Sequence, residues 1–110
     1  MNRMPWDKVK ANLFFLLKPD TKIIEIMRAG QTTAVIMGIE KFRELRIDQA
    51  EKLSLIELKE YFDKWSQRSS KAAIVSVNNR EMIAIMGINL YRMRTRDFQL
   101  LKGGKNKTSG

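Results

Sequence analysis

The chain has no histidine and no cysteine among its 110 residues, so the commonest general base and the thiol nucleophile are both missing. The side chains left for chemistry are mainly cations and amides. Arg3, Lys8, Lys10, Lys18 and Arg28 can line one basic edge, and Asn78-Asn79-Arg80 sets two amides and a guanidinium on consecutive residues. Groups of these types contact phosphates and base edges. Arg92, Arg94 and Arg96, with Arg43 and Arg46 earlier in the chain, form a second cationic series. Arg92 and Arg96 are i, i+4 neighbours, which fits a phosphate-facing stripe or a solvated helix face equally well. The carboxylate pairs Glu40/Glu44 and Glu57/Glu60 have helical spacing among bases, as surface ion pairs do, and there is no phosphate-binding glycine loop. We expect no catalytic residue, no metal ligand set and no cofactor.

Charge points the same way. Lys and Arg number 21 against 12 Asp and Glu, giving a net charge of +9. The excess is spread evenly, with 9 bases against 6 acids in both 1–49 and 50–98 and 3 lysines without acids in 99–110. A polyanionic partner is expected, nucleic acid first. Hydrophobic content of 44% is that of a folded domain, and without cysteine there is no disulfide framework. No apolar run approaches the roughly 18 residues of a membrane span, and the start carries no signal-peptide cleavage pattern. A soluble, cytoplasmic protein is the expectation.

These groups need elements to position them. Residues 4–6 alternate as a short strand would, with Met4 and Trp6 on one side, and Val9, Leu13, Leu16 and Leu17 follow with helical spacing until Pro19. Lys22–Met27 and Gln31–Met37 read as strands joined by the turn Arg28-Ala29-Gly30, and Ile39, Phe42 and Leu45 open a second helix. The same order then recurs. Leu55–Trp65 predicts a helix, Ala72–Val77 and Glu81–Met86 strands, Asn78-Asn79-Arg80 their turn, and Tyr91 and Met93 the closing helix. Asparagine tolerates left-handed backbone, so the second turn keeps the chemistry of the first. The apolar-free stretch 102–110 predicts a mobile basic tail.

The recurrence has a fixed offset of 49 residues and no gap. KIIEIMRAGQTTAVIMGIEKFR at 22–43 falls on KAAIVSVNNREMIAIMGINLYR at 71–92, with Ile36-Met37-Gly38-Ile39 landing on Ile85-Met86-Gly87-Ile88. Upstream, Val9, Leu13 and Leu16 fall on Leu58, Phe62 and Trp65. A 49-residue unit is marginal alone, so the two copies are expected to share a core. The expected organisation is a first repeat at 1–49, a second at 50–98 and a flexible basic tail at 99–110. The fold class expected is α+β, with two β-α-β-β-α repeats packed as an intrachain pseudo-dimer.

VKANL at 9–13, IMRAG at 26–30, AVIMG at 34–38 and the helix of Glu40-Lys41-Phe42 together resemble the Phd/YefM antitoxin family. The resemblance covers about 4–46 and, more weakly, 53–94. It implies a DNA-binding repressor whose N-terminal strand, first-helix start and first-hairpin cations grip the duplex. Lys10 then stands at the family's arginine, Arg28 at its hairpin arginine and Asn12 at its asparagine; Lys59, Val77 and Tyr61 are the second-copy equivalents. Lysine at position 10 keeps the charge and loses the bidentate fork. Glu57, Glu60 and Asp63 on the second copy's helix repel phosphate. The family's long toxin-wrapping C-terminal segment has no counterpart after Tyr91.

Phe14 and Phe15 leave the first helix apolar nearly all round, where the second copy has Asp63 and Lys64. Such a helix either sits deeper in the core or meets a partner or a second pseudo-dimer. The expected function is double-stranded DNA binding by a repressor-type transcriptional regulator. The DNA-contact set is Arg3, Lys8, Lys10, Asn12, Arg28, Lys59, Asn78, Asn79 and Arg80. A toxin-neutralising or adaptor protein using Phe14 and Phe15 is the alternative, and an RNA- or ribosome-associated basic protein the third.

Overall fold

In the computed structural model, residues 2–96 are described; the expected basic tail at 99–110 lies outside them. The elements run β1 (Asn2–Pro5), α1 (Trp6–Ala11), α2 (Leu13–Leu16), β2 (Ile24–Arg28), β3 (Gln31–Gly38) and α3 (Ile39–Glu44). They continue with β4 (Glu51–Ser54), α4 (Leu55–Glu60), α5 (Phe62–Trp65), β5 (Ala72–Val77) and β6 (Arg80–Gly87). A last helix, α6, occupies 88–96 of the described residues. The class is α+β, built on one six-stranded mixed sheet in the order β1-β2-β3-β6-β5-β4. Both outer pairs, β1·β2 and β4·β5, are parallel, while β2·β3, β3·β6 and β5·β6 are antiparallel.

Several boundaries differ from those read in the sequence. Trp6 opens α1 instead of extending the first strand, so Met4 alone of that pair lies on the pleat. The single helices expected over Val9–Leu17 and Leu55–Trp65 are each broken once. The breaks fall at Asn12 and Tyr61, whose φ of −108 and −107 leaves the helical region. The hairpin turns have two residues, not three, because Arg28 and Arg80 belong to strands. Ala29, Gly30, Asn78 and Asn79 all take positive φ, as the two-residue turns that follow strand twist require. Each hairpin also holds one extra residue, Thr33 in β3 and Met82 in β6, where the register slips.

Strand alternation divides the core between the two sheet faces. On one face Val9 and Leu13 from α1–α2 and Leu58, Phe62 and Trp65 from α4–α5 cover Ile26, Ile36, Val75 and Ile85. On the other, Ile39 and Phe42 of α3 and Ile88 of α6 cover Val35, Met37, Ala84 and Met86. Both clusters draw residues from before and after position 49. Full burial of a side chain such as Phe62 contributes about 1.5–3 kcal/mol, so neither segment can give up the other's surface cheaply. Among the described residues no helix is long and apolar enough to cross a membrane.

The shared Ile-Met-Gly-Ile has a steric cause. At the end of β3 the Gly38 N–H donates to the Thr21 carbonyl at 2.8 Å, and the Glu40 N–H to the Pro19 carbonyl at 3.0 Å. At the end of β6 the Gly87 N–H donates to the Lys71 carbonyl at 3.0 Å, and the Leu90 N–H to the Ser69 carbonyl at 3.4 Å. The incoming segment crosses so closely that a Cβ on Gly38 would overlap the Pro19 backbone, and one on Gly87 the Ser69 backbone. Main chain cannot yield as a side-chain tip does. Gly38→Ala and Gly87→Ala should therefore each lower unfolding free energy by about 1–3 kcal/mol, the cost of overpacking a fitted site. Urea titration reads this directly, and a change within about 0.5 kcal/mol at either position would contradict the crossing.

Candidate nucleic-acid interface

β3 and β6 are antiparallel, so the hairpin tips they belong to point to opposite ends of the sheet. Two eight-residue strands that overlap over five residues, Ala34–Gly38 against Ile83–Gly87, span eleven residue positions. At about 3.3 Å per residue, that separates the tips by roughly 35 Å. Each tip has a helix start beside it. Pro5 pairs with Met27, which puts the start of α1 at the Ala29–Gly30 end, and Ser54 pairs with Ser76, which puts the start of α4 at the Asn78–Asn79 end. Ser54 and Glu57 close a capping box there, with bonds of 3.1 and 2.9 Å.

The nine cations and amides expected to touch DNA are thereby dispersed. Lys8 and Lys10 are exposed on α1 at the Ala29–Gly30 end. Arg28 is at that end too, but its guanidinium lies 4.5 Å over the Trp6 ring and Nη1 donates to Ser66 Oγ at 2.7 Å. The Asn12 amide donates to the Lys8 carbonyl at 2.7 Å, capping the helix it ends. Arg3 projects from the opposite sheet face to Met4 and pairs with Glu25 at 3.7 Å, away from Lys8 and Lys10. Lys59 is exposed on α4, and Asn78, Asn79 and Arg80 are exposed at the far tip. Asn79, Arg80 and Lys52 line one open depression with Arg43 and Glu81.

The contacts around Arg28 were not anticipated as a unit. Ser66 is fully buried, and its carbonyl accepts from Thr33 Oγ1, the extra residue of the first hairpin. Asp63 approaches Arg28 only to 4.0 Å and is 67% exposed, so that ion pair adds little. The hydrogen bond and the stacking on Trp6 carry the weight, each worth about 1 kcal/mol. The signal was present in the 49-residue alignment. Trp6, Arg28, Thr33, Asp63 and Ser66 make this polar cluster, while their counterparts Leu55, Val77, Met82, Phe14 and Leu17 are all apolar. Four positions changing polarity together, around the Trp6/Leu55 exchange, mark a contact set.

The remaining candidates sort simply. Phe14 and Phe15 are 73% and 71% exposed, edge to face at 6.0 Å, so they add surface and not core; Ile56 on α4 is 76% exposed. In the cationic series, Arg43 pairs with Glu81 at 3.1 Å and Arg94 donates to the Arg46 carbonyl. Burial, with Glu25 nearby, holds the Tyr91 phenol above its ordinary value of 10.0, on the face opposite α1. No metal-holding group of histidine, cysteine or carboxylate side chains occurs among the described residues.

Comparison with protein-family models, with curated proteins and with solved structures gives no match. The geometry around Arg28 carries its own test. In a double-mutant cycle, Arg28→Ala and Ser66→Ala should show a coupling of about 0.5–3 kcal/mol by chemical denaturation. Additive effects would mean that the guanidinium does not depend on that hydroxyl.

Proposed function

We propose that the chain is a double-stranded DNA-binding transcriptional regulator of the repressor type. In this reading it is two Phd/YefM-like repeats fused into one chain, forming an intrachain pseudo-dimer. The carrying observation is the spacing of the hairpin tips. Roughly 35 Å between equivalent tips is one turn of B-DNA, the separation at which two-fold proteins engage successive major grooves. The palindromic strand order and the Ile36–Ile85 pairing at its centre support the fused-dimer description. The net charge of +9 supports a polyanionic partner.

The side chains best placed for contact are those whose polar groups point to solvent: Lys8, Lys10 and Lys59 on the helices, and Asn78, Asn79 and Arg80 at one tip. Arg28 and Asn12 act by positioning, since their polar atoms are engaged with Ser66 and Lys8. A protein-binding reading, antitoxin-like or adaptor, is favoured by one observation, the exposure of Phe14, Phe15 and Ile56. The two readings meet on α4, where exposed Ile56 and Lys59 are i, i+3 neighbours. An RNA-binding reading is separated from the first by competition with RNA.

Binding to a mixed-sequence duplex, followed by fluorescence anisotropy, should weaken roughly 10²–10³-fold between 50 and 200 mM salt, as for about five neutralised phosphates. Replacing Lys8 and Lys10 by alanine together should lower the salt slope by about 2, whereas Lys41→Ala, on α3 beside Glu44, should leave it unchanged. Salt-independent affinity, absence of binding at low salt, or equal losses for the two variants would each remove the reading. Displacement by RNA at lower concentration than by duplex DNA would move the assignment to RNA.

A further inference from the structure

The ends of the sheet are alike in backbone and unlike in side chain, and on the duplex-DNA reading above this has a consequence for the target. We infer that the chain recognises a non-palindromic site, with one half read in its bases by the Asn78–Arg80 tip and the other held mainly through phosphates near Lys8 and Lys10. Two identical subunits present the same side chains to both halves of a site. Here the tips differ at every position: Arg28 against Val77, Ala29 against Asn78, Gly30 against Asn79, and Gln31 against Arg80.

The difference is in reading capacity. Ala29 and Gly30 bring no polar side chain to their tip, Arg28 is committed to Trp6 and Ser66, and only Gln31 is left as a polar group. At the other tip Asn78 and Asn79, at φ +52 and +63, are exposed next to exposed Arg80. None of these three side chains has a hydrogen bond or ion pair among the described residues. An asparagine amide matches the donor–acceptor pair of adenine and a guanidinium that of guanine, so this tip is equipped for direct readout. Lys52, in the same depression as Asn79 and Arg80, supplies charge for the adjacent phosphate. Glu57 keeps its charge in the capping box at the start of α4, so the base contact is assigned to the turn and not to that helix start.

Selection of bound duplexes from a random pool by the full chain tests the inference. The expected motif has one strongly specified half and one weak half, centred about 10–11 base pairs apart, without two-fold symmetry. Asn79→Gly, which keeps the left-handed backbone, and Arg80→Ala should each lose about 10–100-fold on the selected site, with at most a few-fold change on unrelated duplex. Lys8→Ala with Lys10→Ala should weaken all sequences alike. Circular dichroism checks that each variant folds. A palindromic motif, salt-sensitive binding with no enriched motif, or equal losses on all sequences for the tip variants would overturn the inference and leave DNA binding standing. A chain that retains no duplex at low salt would overturn the DNA reading, and the inference with it.

Discussion

The pairing of β3 with β6 is the constraint on which the rest of the molecule depends. These are the innermost strands of the sheet, and the residues that face each other, Ala34–Gly38 and Ile83–Gly87, are buried. Ile36 opposite Ile85 sets the register. A slip of one residue would turn Ile36 toward the α3–α6 face and Met37 toward the α1–α4 face, exchanging two cores at once. Because both faces are covered, register here is determined from above and below. That requirement explains a run of buried residues from Ala34 to Ile39 without polar alternation.

From that seam the helices acquire their places. α3 leaves β3 and packs toward β6, so Phe42 lies among residues of the other half, and Tyr91 of α6 lies near enough to Glu25 of β2 to feel its charge. Each half thus lends its last helix to the other's strands. The close crossings at Gly38 and Gly87 feed the chain from α2 into β2 and from α5 into β5, and only glycine admits them. The repeated tetrapeptide is therefore a packing device. Its recurrence says nothing about ligands, although it was the most visible feature of the sequence.

Much of the architecture was legible because it rests on periodicity and turn chemistry. Six strands, the order within each half, and positive φ at Gly30 and Asn79 followed from β-branched runs and Gly or Asn at the turns. The breaks at Asn12 and Tyr61 were hidden because the apolar spacing carries on through them; only the Asn12 amide, a group favoured at helix ends, marks one of them locally. Trp6 was misplaced for a similar reason: a short alternating run does not reveal where a strand ends and a helix starts. The candidate site was less legible than the fold. Sequence neighbours such as Arg3 and Lys8 fall on different faces, and residues 38 apart, Arg28 and Ser66, bond to each other.

The two ends show what sharing one chain permits. In a homodimer, a polar cluster such as Trp6–Arg28–Ser66 must occur twice, because each subunit supplies both sides of it. Here the sides come from different parts of one sequence, so one end can be polar and the other apolar. Leu55, Val77, Met82 and Leu17 lose no hydrogen bond, since no buried polar side chain among the described residues is left unpaired. At the apolar end Val77 stands at the Arg28 position, and Asn78 and Asn79 serve the fold through their left-handed backbone while their side chains and that of Arg80 stay exposed. At the polar end the guanidinium is stacked and bonded, and the tip beside it is reduced to Ala29 and Gly30. Polar bonding is thus divided unequally between the ends: one end spends its polar side chains on internal contacts, and the other, held by apolar packing, leaves its polar side chains exposed.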